Sequence, residues 1–114
     1  MPSRFSSDLV RSSTDLVLLT LLTQRPMYGY EILTTLQDHG NGQFRFKHGT
    51  LYPLLYRLER EGWIEARWED PPEGKPRKVY RVTRDGRREQ KARTAEWLAF
   101  TDSVKAILEE CGHA

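Results

Sequence analysis

Cysteine occurs once in the 114 residues, at Cys111, so no disulfide can form within the chain, and a reducing cytosol suits it. Long apolar runs are missing as well. The longest cluster, Leu16 to Leu22, is interrupted by Thr20 and falls far short of the roughly 20 residues of a membrane span. The N-terminal stretch, with Asp8 and flanks rich in serine and threonine, lacks a secretory pattern. Internal repeats, low-complexity tracts, a glycine-rich phosphate loop, a nucleophile elbow and metal-spaced His/Glu motifs are also absent. Glu59 and Glu61, two apart on an expected helix, face away from each other and make no carboxylate pair. Cys111 and His113 could hold a soft metal across two chains, but surface residues are the plainer reading. The expectation is a cytoplasmic domain without catalysis, cofactor or membrane contact.

What is present is a 13.4 kDa chain of one-domain size, 38% hydrophobic and 30% charged, apolar enough to fold around one modest core. Its net charge of +2 conceals an uneven distribution. From Gly74 to Arg88 seven basic residues oppose one acid, and from Phe44 to Arg60 four oppose one, whereas the segment from Thr94 onward carries four acids and one base. A middle third this positive suits a polyanion, although most charge runs are only solvated surface.

The apolar spacing predicts a first helix over 8–24, capped by Asp8 and apolar nearly all round through Leu9, Leu16, Val17, Leu18, Leu19, Leu21 and Leu22. Such a helix is buried on more than one side, in part by a second subunit. Pro26 ends it. A second helix is expected over 28–38 with Ile32, Leu33 and Leu36 inward, closed by Gly40-Asn41-Gly42. A third runs over 50–61: Thr50 is the expected N-cap, Pro53 falls in the first turn, and Leu51, Leu54, Leu55 and Leu58 form one stripe. Gly62 suits a left-handed C-terminal cap, and Tyr52, Tyr56, Arg57 and Arg60 lie off the stripe. Alternating runs at 63–68 and 78–82, around Asp70-Pro71-Pro72-Glu73-Gly74, make a β-hairpin. Tyr80, sharing a face with Val82, reads as core, and Trp63 and Trp68 as hairpin packing.

Thr83 then caps a final helix from Arg84 to about Glu110. Trp97, Phe100, Val104, Ile107 and Cys111 follow a 3-4-3-4 spacing, a heptad seam widened by Leu98 and Leu108. This stripe could pack on its own domain. A helix of about 40 Å, however, outruns so small a domain, which favours a two-fold dimer. The expected architecture is mainly α with a small β-hairpin: a winged helix-turn-helix over 1–83 and a C-terminal dimerisation helix over 84–114, together one compact unit.

The two basic clusters fall on the elements of that plan which would touch DNA. Lys47, His48, Thr50 and Tyr52 stand at the leading end of the third helix, suited to a major groove. The hairpin tip, with Lys75, Arg77 and Lys78, suits phosphates or the minor groove. Three segments carry a family resemblance: Met27-Tyr-Gly-Tyr-Glu-Ile-Leu33, the Gly-Thr-Leu-Tyr-Pro run within His48–Gly62, and Arg77-Lys-Val-Tyr-Arg-Val-Thr83. In them, and over nearly the whole length from Leu9, the chain resembles the PadR family of bacterial transcriptional regulators, in the shorter class without a large C-terminal extension. The resemblance implies a homodimeric repressor on a palindromic operator, with the final helix swapped against the partner's first helix.

It further implies that Tyr30, Tyr52 and Pro53 belong to the DNA-facing surface and that Lys75, Arg77 and Lys78 form the basic wing. His48 departs from the serine or glycine that many members carry before Gly-Thr. The expected DNA surface is thus Tyr30, Lys47, His48, Thr50, Tyr52, Pro53, Arg57, Lys75, Arg77 and Lys78, with Tyr30 and Tyr52 as core tyrosines the alternative. The expected dimer surface is Leu16, Leu19, Trp97, Phe100, Val104 and Ile107. In multidrug-binding relatives an aromatic residue on the final helix stacks on flat cationic drugs at the dimer centre, so Trp97 and Phe100 are either plain packing or a platform for a small aromatic effector. A winged-helix adaptor that binds protein and no DNA is one rival reading; RNA binding is the other, against which stands the lack of evident stacking aromatics for an exposed sheet face.

Overall fold

The computed structural model describes residues 7–40, 44 and 46–112, with side chains from Ser13 onward. The side chains of Asp8 and Leu9, and residues Asn41, Gly42, Arg45 and His113, lie outside the described residues. The elements run α1 (Ser7–Gln24), β1 (Met27–Tyr28), α2 (Gly29–Asp38), α3 (His48–Arg60), β2 (Ile64–Glu69), β3 (Arg77–Val82) and α4 (Arg84–Cys111). Three helices, a hairpin and a long last helix are the expected plan.

Leu18, Leu19, Leu22, Ile32, Leu51, Leu55, Leu58 and Ile64 are sealed in one core together with Met27, Leu33, Leu36 and Tyr80. The stripes read at helical spacing therefore converge on a common centre, as amphipathic helices must. Leu19 is a correction: expected at a surface between subunits, it is 0% exposed and wholly used inside its own chain. The helix is apolar all round because α2, α3 and the sheet on one side, and α4 on another, already cover it.

The start of the third helix and the number of strands also differ from expectation. The third helix starts at His48, because the carbonyl of extended Lys47 accepts the Thr50 and Leu51 N–H groups, each at 3.0 Å. Thr50 is thus a first-turn residue and no cap. Pro53 consequently stands in the second turn, and its missing N–H leaves the exposed Gly49 carbonyl without a helical donor. The sheet has three strands and not two: β3 is central, flanked by β2 and by the short β1 in the order β1-β3-β2, all antiparallel. Met27 pairs with Tyr80 and Tyr28 with Val79.

Register puts Ile64, Ala66 and Trp68 opposite Val82, Tyr80 and Lys78 on one face. Burial falls along that face: Ile64 is buried, Ala66 half-buried and Trp68 70% exposed. Trp68 therefore does not pack the hairpin. It shares the core face but stands beyond the edge of the core, whereas Trp63 packs on the core as expected. Tyr80 is buried, as its face required.

Thr83 caps α4 as expected, its hydroxyl accepting the Gly86 N–H at 3.0 Å and donating to the Gly62 carbonyl at 2.7 Å. Gly86 is held against the end of β2, where a Cβ would lie 1.9 Å from the Trp63 carbonyl oxygen, so only glycine allows the approach. At 28 residues α4 is about 42 Å long, and the molecule measures 61 × 34 × 20 Å. Its proximal half packs on α1, with the Gln90 amide donating to the Thr20 hydroxyl at 3.0 Å. Beyond it Leu98, Phe100, Val104, Ile107 and Leu108 are exposed, so among the described residues the stripe is covered near Trp97 and open farther along. None of the described helices is long and apolar enough to cross a membrane.

Candidate nucleic-acid interface

The start of α2, the leading half of α3 and the base of the wing meet at a cleft of about 440 Å³ lined by Tyr28, Gly29, Tyr52, Trp68, Pro76, Arg77, Lys78 and Tyr80. Its geometry grows from a few local causes. Tyr28 is extended and precedes α2, and its N–H donates to the Glu31 carboxylate at 3.2 Å, which fixes the first turn. Arg25 holds that carboxylate from the other side at 2.7 Å. Gly29 follows with no side chain, and into that space the Tyr52 ring descends: a Cβ on Gly29 would sit 2.3 Å from the Tyr52 hydroxyl oxygen. Gly29 has no left-handed φ, so glycine serves here for space alone.

Tyr52 remains 43% exposed, and its ring lies nearly parallel to that of His48, with centroids 5.9 Å apart. Tyr52 thus rests its hydroxyl end on Gly29 and is flanked by His48, while part of its ring stays exposed. The core alternative is excluded for Tyr30 too, which is 60% exposed. Across the cleft the Arg77 guanidinium lies 4.4 Å over the Tyr28 ring, a cation–π contact that stiffens the wing base. Lys78 is half-buried, 5.6 Å from the Tyr80 ring, with its ammonium 3.9 Å from the Glu59 carboxylate on α3. Beneath them Tyr80 has its hydroxyl pKa pushed up to about 12, chiefly by burial and then by the charges that Tyr52 and Glu59 bring close.

The structure therefore brings Tyr52, Pro53, His48, Thr50 and Lys47 to one exposed end of α3 and sets Arg77 and Lys78 beside them, with Lys75 exposed in the wing loop. Arg57 does not join this group. Its guanidinium is ion-paired with Asp15 of α1, so the off-stripe arginine expected to meet DNA faces the first helix. Sequence reasoning missed Tyr28 and Trp68 as cleft residues. The Tyr-Gly-Tyr spacing held a signal for Tyr28; for Trp68 nothing local distinguished core from rim.

A second cleft, about 430 Å³, lies between α1 and α4, lined by Leu16, Glu89, Ala92, Arg93, Glu96, Trp97 and Phe100. Of the residues expected at the dimer surface, Leu16, Trp97 and Phe100 meet here, while Val104 and Ile107 lie farther along α4. No group of three or more His, Cys, Asp or Glu among the described residues is placed to hold a metal ion.

The model of the Transcriptional regulator PadR-like family matches residues 18–92, from the last turns of α1 through the first third of α4. A transcriptional regulator of Mycobacterium tuberculosis is 34% identical over 103 residues, covering 90% of both chains. The crystal structure of a PadR family transcriptional regulator from Eggerthella lenta superposes with a TM-score of 0.80 at 36% identity, over 90% of this chain and 87% of that one. A transcriptional regulator from Clostridium thermocellum superposes at 0.82 with 29% identity, over 91% and 98%. These neighbours are transcriptional regulators, and the fold shared with them is the winged helix-turn-helix with a long last helix. The chain belongs to the PadR-like family of transcriptional regulators.

Proposed function

We propose that the chain is a homodimeric repressor that binds a palindromic operator through α3 in the major groove and the wing, residues 70–78, on the backbone or minor groove. The observation that carries this is the cleft between α2, α3 and the wing. Tyr52 stands exposed on one lip and Arg77 and Lys78 on the other, with a gap between the two groove-reading elements where a phosphate backbone would pass. Lys47, His48, Thr50 and Tyr30 extend the polar and cationic surface around it. In this reading residues 1–83 are the DNA-binding unit and 84–114 the dimerisation helix, whose uncovered apolar stripe seats the second subunit. A flat aromatic effector, entering beside Trp97 and Phe100 at the dimer interface, releases the operator; Glu96 favours a cationic one, Glu89 being paired with Arg93.

A mobility-shift titration against the DNA upstream of the chain's own gene, at two salt concentrations and with non-specific duplex as competitor, tests the reading. A competitor-resistant, salt-sensitive shift is expected. No shift at either salt would sink it and leave the winged-helix adaptor in its place. Quenching of tryptophan fluorescence by a flat aromatic cation, lost in Trp97→Phe, is the corresponding test of the effector site.

A further inference from the structure

Asp15 on α1 uses its two carboxylate oxygens on two different helices. Oδ1 accepts from Arg57 Nη2 on α3, and Oδ2 lies 3.6 Å from Arg93 Nη1 on α4. The side chain of Asp15 is only 16% exposed, whereas that of Arg57 is 53% exposed, so the carboxylate is the fixed point of the arrangement. Arg93 is itself held by two further contacts, its Nε donating to Glu89 at 3.1 Å and its guanidinium lying 4.7 Å over the Trp63 ring, and it forms part of the wall of the α1/α4 cleft.

Trp63 closes the loop back to α3, since its N–H donates to the Leu58 carbonyl at 3.1 Å while its carbonyl accepts from Thr83 at 3.0 Å. The trailing half of α3 is thus tied, through one acid and one indole, to α1 and α4, while its leading half carries Tyr52. A rotation of α3 about its axis, or a tilt about its trailing end, would carry Tyr52 with it. Arg57 is half exposed, and an ion pair with so exposed a partner adds little to overall stability. The cluster therefore acts on the pose of a helix far more than on whether the chain folds.

We infer that Asp15 is a positioning residue for DNA binding, its carboxylate clamping Arg57 of α3 and Arg93 of α4 so that the groove-reading helix is set against the wall of the α1/α4 cleft. The inference rests on the reading of α3 as the element that enters the groove. It also assigns Arg57 to the clamp and not to a phosphate, and those two roles have different signatures. A phosphate contact contributes to the salt dependence of binding, about one unit of slope per lysine or arginine, whereas a positioning residue does not.

The test uses the full chain and the operator duplex defined by the titration above, with affinity measured over a series of salt concentrations and thermal midpoints recorded in parallel. Asp15→Asn is expected to weaken binding about tenfold, Arg57→Gln somewhat less because Arg93 keeps its carboxylate, and the double variant no further than Asp15→Asn alone, in which the Arg57 bond is already gone. The salt slope and the thermal midpoint stay near those of the parent, and Asp15→Glu, which keeps the carboxylate, restores most of the affinity. Three results would overturn the clamp: a slope lowered by about one in Arg57→Gln with Asp15→Asn unaffected, additive losses in the double variant, or parent-like affinity in every variant. Tyr52→Ala separates the two levels. If it loses the operator while Asp15→Asn does not, only the clamp fails. If Tyr52→Ala also binds as the parent does, the placement of α3 fails and the clamp with it.

Discussion

Leu18, Leu19 and Leu22 of α1 are sealed in the core, whereas Leu98, Phe100, Ile107 and Leu108 of α4 are more than half exposed in the same chain. The two helices carry apolar residues at comparable spacing, and spacing alone does not say what will cover them. The difference lies in neighbours. Around α1 the chain folds back three times, with α2–α3, the sheet and the proximal half of α4 closing on it. The distal half of α4 extends past the sheet, and its apolar residues stay exposed among the described residues. An apolar patch of that kind marks an interaction surface. Hydrophobic periodicity thus reports that a face will be buried, and chain length and topology decide whether the burial is internal.

This contrast can be broken at either end. Leu19→Ala removes a fully buried side chain and should cost about 2–5 kcal/mol in denaturant unfolding, by the same amount at every protein concentration. A cost that varied with concentration would return Leu19 to an interface between chains. Ile107→Glu should act in the opposite way. The fold measured by circular dichroism is retained, self-association in sedimentation is lost, and the concentration dependence of the thermal midpoint disappears. A variant that sediments as the parent does would show that the distal stripe is covered by something other than a second copy.

On the sealed side, Tyr80 supplies a pH signature. Its pKa is raised in the folded chain to about 12 from the ordinary 10.0, because burial disfavours the phenolate. The unfolded chain therefore loses its proton first. Stability from this group is complete below pH about 10 and declines as pH rises towards about 12, by on the order of 2 kcal/mol. Tyr80→Phe should flatten that decline in alkaline unfolding curves; an unchanged decline would place its cause elsewhere. The smallest effect concerns the wing. Lys75, exposed in the loop, and Lys78, braced beside Glu59, are expected to lower the salt slope of DNA binding by about one unit each when changed to alanine, Lys78→Ala also loosening the wing base. An unchanged slope in Lys75→Ala would remove the wing tip from the phosphate contacts.

Much of this was legible in the sequence because it is local. Helical leucine stripes, Gly62 with its φ of 79°, the Thr83 cap and the alternation of β3 each depend on residues within a few positions of one another. The start of α3 was misplaced because Thr50 offers a capping hydroxyl and Lys47 none, yet the Lys47 carbonyl sufficed. What escaped reading is non-local. β1 is two residues long, too short for any periodicity, and exists only because β3 offers an open edge. Arg57 meets an acid 42 positions away, a separation at which pattern is silent, so an off-stripe arginine looked like a groove residue. Trp68 has the alternation of a core residue and the location of a rim residue. The family segments brought Tyr52 to notice, but only the fold showed why Gly29 accompanies it.

The order β1-β3-β2 also has a consequence for the chain as it is made. Met27 belongs to the core, yet its partner Tyr80 is more than fifty residues downstream. At ordinary translation speeds that interval lasts about 3–10 s, during which the early helices exist without the strand that completes their cover. A stall or truncation ahead of residue 77 leaves a largely helical nascent chain with an open apolar edge, a substrate for holding chaperones and proteases. The central strand is the last part of the sheet to be synthesised and the piece that closes it on both sides, and α4 follows it to finish the cover of α1, so the newborn domain gains its protection late.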